Sequence, residues 1–128
     1  MLCSTGFLFE TSVTLSAVKK VLAVGNKSAV FRMESYRLCA LYYWLINKQK
    51  KAYKWFDKSI KEGERMEARL DLSRTYFEVC KRLLEPQSQY KQLNGISAEE
   101  YLEKARILFE EMDLKWDLEQ LSKLKAGI

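Results

Sequence analysis

Proline occurs once in this chain, at Pro86, and glycine only five times in 128 residues. Tight turns depend on these two residues, so a chain this poor in them cannot supply the many reversals of an all-β fold. Alanine, leucine, lysine, glutamate and arginine, which lose little freedom in a helix, are plentiful instead. The expectation is an all-α chain, long enough for one domain, 1–128, or a short stack of helical hairpins.

Histidine is absent. A Cys-His or Ser-His dyad and any zinc site that needs imidazole are therefore excluded. Cys3, Cys39 and Cys80 show no paired spacing and make neither a disulfide framework nor a cysteine-only metal site. Cys39 and Cys80 lie among apolar helical residues and read as small buried thiols. No catalytic residue, metal ligand or cofactor is expected. Residues 1–17 carry Glu10 and no basic run, unlike a secretory signal. The longest apolar run, Leu38 to Ile46, is far shorter than the roughly 20 residues of a membrane span. A cytoplasmic, reduced chain is the expected setting, without membrane contact.

Periodicity divides the chain into about six helices. The first covers about Thr14 to Val24 and stops at Gly25-Asn26, after which Ser28 can cap a second that runs to about Ile46. That helix is apolar nearly all round from Leu38, as a helix sandwiched between neighbours would be. Asn47-Lys48-Gln49 is a short break before a helix with Ala52, Phe56, Ser59 and Ile60 on one stripe, turning near Met66-Glu67. Leu72, Tyr76, Val79, Cys80 and Leu83 mark the next, with Arg74, Glu78 and Arg82 paired at four-residue spacing on its polar side. Glu85-Pro86 ends it, because a residue before proline leaves helical geometry. A polar loop follows, containing Asn94-Gly95. Ser97-Ala98-Glu99-Glu100 is a capping box, opening a helix with Tyr101, Leu102, Ala105, Leu108, Phe109 and Met112. Asp113 punctuates, and Leu114, Leu118, Leu121 and Leu124 mark the last helix.

Regular helix pairs invite a search for repeats. With Ala52 and Phe56 as the small and aromatic positions of a second helix, a 34-residue frame covers 33–66. Tyr36, Cys39, Ala40, Tyr43, Ala52, Phe56 and Ser59 fill its signature positions, and Glu64 stands where proline is usual. This resembles a tetratricopeptide repeat. Ala40 and Ala52 would let two helices approach closely, while Tyr43 and Phe56 fill the space beside them. Val18, Leu22 and Gly25 echo the second-helix positions, making 14–25 the tail of an earlier hairpin. Ala105 and Phe109 repeat the relation 53 residues later, so 67–112 would be a repeat with an inserted loop, 85–97. Residues 113–125 would be a terminal helix. The resemblance implies antiparallel hairpins stacked as a short right-handed solenoid.

Four strings, Leu41-Tyr42-Tyr43-Trp44-Leu45, Ala68 to Tyr76, Ile96 to Leu102 and Leu108-Phe109-Glu110-Glu111-Met112, are similar to the C-terminal helical-repeat region of large bacterial signalling ATPases. Some of these are joined to nucleotide cyclase or protein kinase domains. The likeness covers about residues 30–120 and implies a signalling scaffold that docks proteins while other domains do the chemistry. It also implies that the chain is a fragment of such a protein or a short reading frame derived from one.

Charge is unevenly spread: residues 1–61 carry a net +8 and residues 62–128 a net −3. The lysines at 48, 50, 51, 54, 58 and 61, interleaved with Tyr53 and Trp55, could hold an acidic protein or nucleic-acid phosphates. A solvated helix face is the plainer alternative. Tyr36 and Trp44 could line a peptide groove, since aromatic residues dominate binding hot spots, or simply meet neighbouring helices. The partner-binding candidates are thus Tyr36, Trp44, Lys50, Lys54, Trp55 and Lys58. The reading they favour is a non-catalytic scaffold for a protein or peptide, the alternative being a small basic nucleic-acid binder. Gly25-Asn26-Lys27-Ser28 lacks the glycines of a phosphate-binding loop. Glu99-Glu100 and Glu110-Glu111 diverge by about 100° on a helix and cannot converge on a substrate. Phe7, Leu8 and Phe9 suggest self-association or partial disorder at the N-terminal end.

Overall fold

A computed structural model describes residues 16, 19, 20, 23 and 29–127. Five α-helices and one small β-hairpin are formed among them: α1 (Ala29–Leu45), α2 (Gln49–Met66), α3 (Arg69–Leu84), β1 (Gln92–Leu93), β2 (Ile96–Ser97), α4 (Ala98–Glu111) and α5 (Lys115–Ala126). The expected helix over 14–25, its stop at Gly25-Asn26, the Ser28 cap, Cys3 and the Phe7-Leu8-Phe9 segment lie outside the described residues, save that Ser16, Lys19, Lys20 and Ala23 are helical. The chain divides into two compact units, Met1–Lys58 and Ser59–Ile128, the division falling within α2.

In the first unit, α1 and α2 are joined at Ile46-Asn47-Lys48. Asn47 takes a left-handed conformation, φ 60°. Its N–H reaches the Trp44 carbonyl at 3.0 Å, and the Lys48 N–H reaches that of Tyr43 at 2.8 Å. These two bonds satisfy carbonyls that a helix end leaves unpaired, the Schellman arrangement. The Lys48 carbonyl then accepts the Ala52 N–H at 3.0 Å and starts α2, so one residue ends one helix and opens the next. The core beneath is Met33, Cys39, Ala40, Tyr42, Trp44, Ala52, Tyr53 and Phe56, all buried. Trp44 and Tyr53 meet edge-on, centroids 5.7 Å apart.

One expectation fails in α1. Instead of being covered all round, it leaves Phe31, Leu38 and Leu45 exposed at 53%, 41% and 68%. Their seven-residue spacing puts them on one stripe, turned away from the face that α2 packs on.

The second unit repeats the same turn twice. At Met66-Glu67-Ala68, Glu67 has φ 53°, and the Ala68 N–H reaches the Gly63 carbonyl at 3.0 Å. At Met112-Asp113-Leu114, Asp113 has φ 52°, and the Leu114 N–H reaches the Phe109 carbonyl at 2.9 Å. Both following helices lack a side-chain N-cap. Chain reversal here rests on backbone geometry and not on glycine or proline.

Antiparallel α3 and α4 form the centre of this unit. Tyr76 meets Tyr101 at 5.8 Å and Phe77 meets Phe109 edge-on at 5.9 Å. Leu72, Val79, Cys80, Leu83, Leu102, Ala105 and Leu121 complete the core. Each large apolar side chain buried in this way contributes about 1.5–3 kcal/mol. Ser59 and Thr75, both fully buried, share a hydrogen bond of 3.2 Å between their hydroxyls, so the polar atoms between α2 and α3 are paired.

Between α3 and α4 the expected loop, 85–97, is replaced in part by regular structure. Glu85 is extended before Pro86, ψ 139°, as the proline ring requires. β1 and β2 then pair antiparallel, Gln92 opposite Ser97 and Leu93 opposite Ile96. Asn94 and Gly95 both have positive φ, 56° and 74°, the requirement of a type I′ turn whose twist matches a two-residue hairpin. The Tyr101 hydroxyl donates to the Leu93 carbonyl at 2.8 Å and fastens the hairpin to α4. Ser97 caps α4, accepting the Glu100 N–H at 3.3 Å. The Glu100 carboxylate returns to the Ser97 hydroxyl, so the capping box forms with that contact in place of a bond to the Ser97 amide.

Candidate functional site

The candidate site lies on α2, and helix geometry decides which of its residues are available. Ala52, Phe56 and Ser59 are fully buried and define the inward side. Lys50, Lys54 and Lys58 follow one another at four-residue steps on the outward side, and all three are exposed. Trp55 lies on the flank between the two and is half-buried.

Trp55 is packed by its own unit. It rests against the buried pair Cys39 and Tyr42. Tyr36 of α1 lies beside it, ring centroids 5.6 Å apart and tilted by 45°. The Lys58 ammonium stands over the indole ring, 4.4 Å from its centroid, within the range where the ring quadrupole attracts a cation. Two turns back, Lys51 repeats the arrangement over Tyr43 at 5.4 Å, and Tyr43 meets Tyr42 edge-on at 5.2 Å. The result is an aromatic layer with two lysine ammonium groups held on its surface.

Cys39 lies at the base of this layer, fully buried. Burial pushes its thiol up to about 11, with Lys58 pulling weakly the other way. It is a neutral packing group at physiological pH, as is Cys80, which burial raises to about 12.

Of the six residues singled out from sequence, Tyr36, Trp55 and Lys58 form one stack, and Lys54 and Lys50 continue the lysine row beside it. Trp44 does not join them. It is 7% exposed, turned onto Tyr53 in the core, because eight residues separate it from Tyr36 and rotate it some 80° around α1. It is a core side chain and not a groove residue. Lys51 and Tyr43 belong to the layer in its place. Lys51 was visible in the lysine run, but only the rotation of α1 against α2 brings it to Tyr43.

A second surface feature had no clear sequence signal. Leu102 and Leu121 floor an open groove of about 350 Å³ between α4 and α5, rimmed by Glu99, Glu103, Arg106 and Lys125. Its charges are largely spent within the unit: Arg106 binds Glu103 and also Glu110 at 2.6 Å. That hydrogen bond to Arg106 is the chief cause that lowers the Glu103 carboxyl. Glu111 binds Arg69. Glu103, Glu110 and Glu111 are thus each ion-paired with an arginine of the same unit.

Among the described residues no group of three His, Cys, Asp or Glu side chains could hold a metal ion. No helix among them is long and apolar enough to cross a membrane. Comparison with protein-family models, with curated proteins and with solved structures finds no match for the chain.

Proposed function

We propose that the chain is a protein-interaction scaffold of the tetratricopeptide type, its hairpins stacking as a short right-handed solenoid in the cytoplasm, with no catalysis of its own. The observation that carries this reading is the burial pattern of the 33–66 frame. Cys39, Ala40, Ala52, Phe56 and Ser59 are each fully buried, which is what close approach of two helices through small residues demands. Helix pairs of this kind cannot cover both faces alone and stack to present an extended binding surface. The surface on offer is the aromatic and lysine layer of Tyr36, Lys54, Trp55 and Lys58, which the core does not consume. Its partner is a protein or peptide.

Affinity capture from native cell extract, with the full chain as bait at low and moderate salt, tests the reading. Retention of one defined protein at moderate salt is the expected result. Recovery of nucleic acid that washes off as salt rises would overturn it in favour of a basic nucleic-acid binder, since phosphate contacts weaken steeply with salt. Recovery of nothing would overturn it as well.

A further inference from the structure

We propose that the lysine row of α2 docks an acidic amphipathic helix, with the Tyr36–Trp55 flank taking that helix's apolar side chains; the inference rests on the scaffold reading and names the chemistry of its partner. The first argument is electrostatic. A stable surface helix usually sets glutamate four residues from lysine. Here the neighbours of Lys54 at both four-residue positions, Lys50 and Lys58, are also lysines, and Lys51 lies one turn before it. Like charges at this spacing repel. Asp57, three residues from Lys54, and Glu62, four from Lys58 and bound to Arg65, offset part of this. The row keeps a net positive charge that an anionic partner can meet.

The second argument is geometric. Four residues of helix rise about 6 Å, so Lys50, Lys54 and Lys58 offer one cation per turn over about 12 Å. A partner helix with acidic residues at i, i+4 and i+8 has the same pitch and can meet all three at once. Apolar residues at i+3 and i+7 of that helix then fall beside its acidic row, where the half-buried Trp55 and Tyr36 wait. Lys58 is already positioned by its contact with the indole at 4.4 Å, so less side-chain freedom is lost when it meets a carboxylate.

The same contact argues against nucleic acid. Bases bind such surfaces by stacking on open aromatic faces. Stacking needs a whole ring face, and Lys58 stands over the Trp55 ring and Lys51 over Tyr43. An aliphatic side chain needs only the accessible part of the half-buried Tyr36 and Trp55 rings. A carboxylate meets these ammonium groups where they stand.

The test is titration of the full chain with a synthetic helical peptide bearing Glu at i, i+4 and i+8 and Leu at i+3 and i+7. A scrambled peptide of the same composition and a single-stranded oligothymidylate serve as comparisons, and the Trp55 indole N–H is followed by NMR. The patterned peptide should shift the Trp55 signal and bind about tenfold more tightly than the scrambled one, the scale on which aligned charge pairs discriminate. Lys54→Gln with Lys58→Gln should weaken it by a similar factor while leaving the circular dichroism unchanged, and Trp55→Phe provides an independent variant. Equal binding of the scrambled peptide, tighter binding of the oligonucleotide, or no Trp55 shift in the folded protein would each overturn the inference. If the patterned peptide fails while a protein is still captured from extract, the acidic-helix inference falls and the scaffold reading stands. If both fail, both fall.

Discussion

Arg74 of α3 grips Asp117 of α5 with two nitrogens, Nε to Oδ1 at 3.2 Å and Nη2 to Oδ2 at 3.3 Å. The Asp117 side chain is 7% exposed and the Arg74 side chain 45%, so the pair is open to water on the arginine side. Asp117 also stands in the first turn of α5, where the helix dipole favours an anion. Removing the arginine strands a buried carboxylate, which costs more than an exposed pair is worth. Arg74→Met is expected to lower unfolding stability by about 1–2 kcal/mol, discounted for solvent screening on the arginine side. A double-mutant cycle with Asp117→Asn in urea should return a coupling of about 1 kcal/mol. Additive single effects would mean that the contact contributes nothing.

Glu67 and Asp113 hold left-handed φ values of 53° and 52°. That conformation costs a residue with a Cβ about 1–2 kcal/mol, while glycine gives back part of the gain through its freer unfolded chain. Glu67→Gly should therefore raise stability by about 0.5–1 kcal/mol, whereas Glu67→Ala, which keeps the Cβ, should not. Asn47→Gly and Asp113→Gly should gain less, because asparagine and aspartate tolerate this region better. Thermal unfolding of the four variants decides the matter, and glycine variants no more stable than the parent would remove the strain argument.

These turns also show what the sequence discloses. The breaks at Asn47, Glu67 and Asp113 are legible as polar interruptions of apolar periodicity, and α4 announces itself through Ser97 and Glu100. That Glu67 takes a left-handed conformation is not legible, since glutamate has no preference for it; the hydrogen bond from Ala68 to Gly63 imposes it. The hairpin at Asn94-Gly95 carried its turn signal openly, yet strands of two residues are too short to alternate. Arg74 has Glu78 four residues away, the obvious helical partner, and pairs instead with a residue 43 positions on. Local spacing sees only one helix. In the candidate site the same limit separates Trp55 from Trp44: both are tryptophans near a lysine run, and only the rotation of each helix sends one to the flank and the other to the core.

The Tyr101 hydroxyl reaches the Leu93 carbonyl at 2.8 Å from a side chain that is 1% exposed. Two short strands cannot hold a hairpin by themselves, so this bond fixes its position on α4. Tyr101→Phe keeps the ring packing and removes only the donor. The expected cost is about 1 kcal/mol, with faster hydrogen exchange confined to the amides of residues 92–97. Faster exchange throughout α4 would instead locate the role of Tyr101 in the core.

The two described cysteines make the protein's alkaline behaviour predictable. Burial, the largest cause in both cases, raises the Cys39 thiol from 9.0 to about 11 and the Cys80 thiol to about 12, the latter helped by the nearby Glu99 carboxylate. As pH climbs past 9, the unfolded chain gives up these protons while the folded chain keeps them. The unfolded state then binds fewer protons, so stability falls with rising pH. The contribution is whole below about 9 and is lost progressively until the folded thiols ionise, near 11 for Cys39 and 12 for Cys80. Tyr76, also raised by burial and then by Glu64, bends the curve the same way. Cys80→Ala should lower stability at neutral pH by leaving a small cavity, yet flatten the decline above pH 9 measured by urea unfolding. At pH 8 both thiols should resist iodoacetamide in the native protein and react quickly in denaturant, since only the thiolate attacks. Rapid native labelling of the peptide containing Cys80, or an unchanged alkaline slope in the alanine variant, would show that this thiol is not the buried neutral group its packing implies.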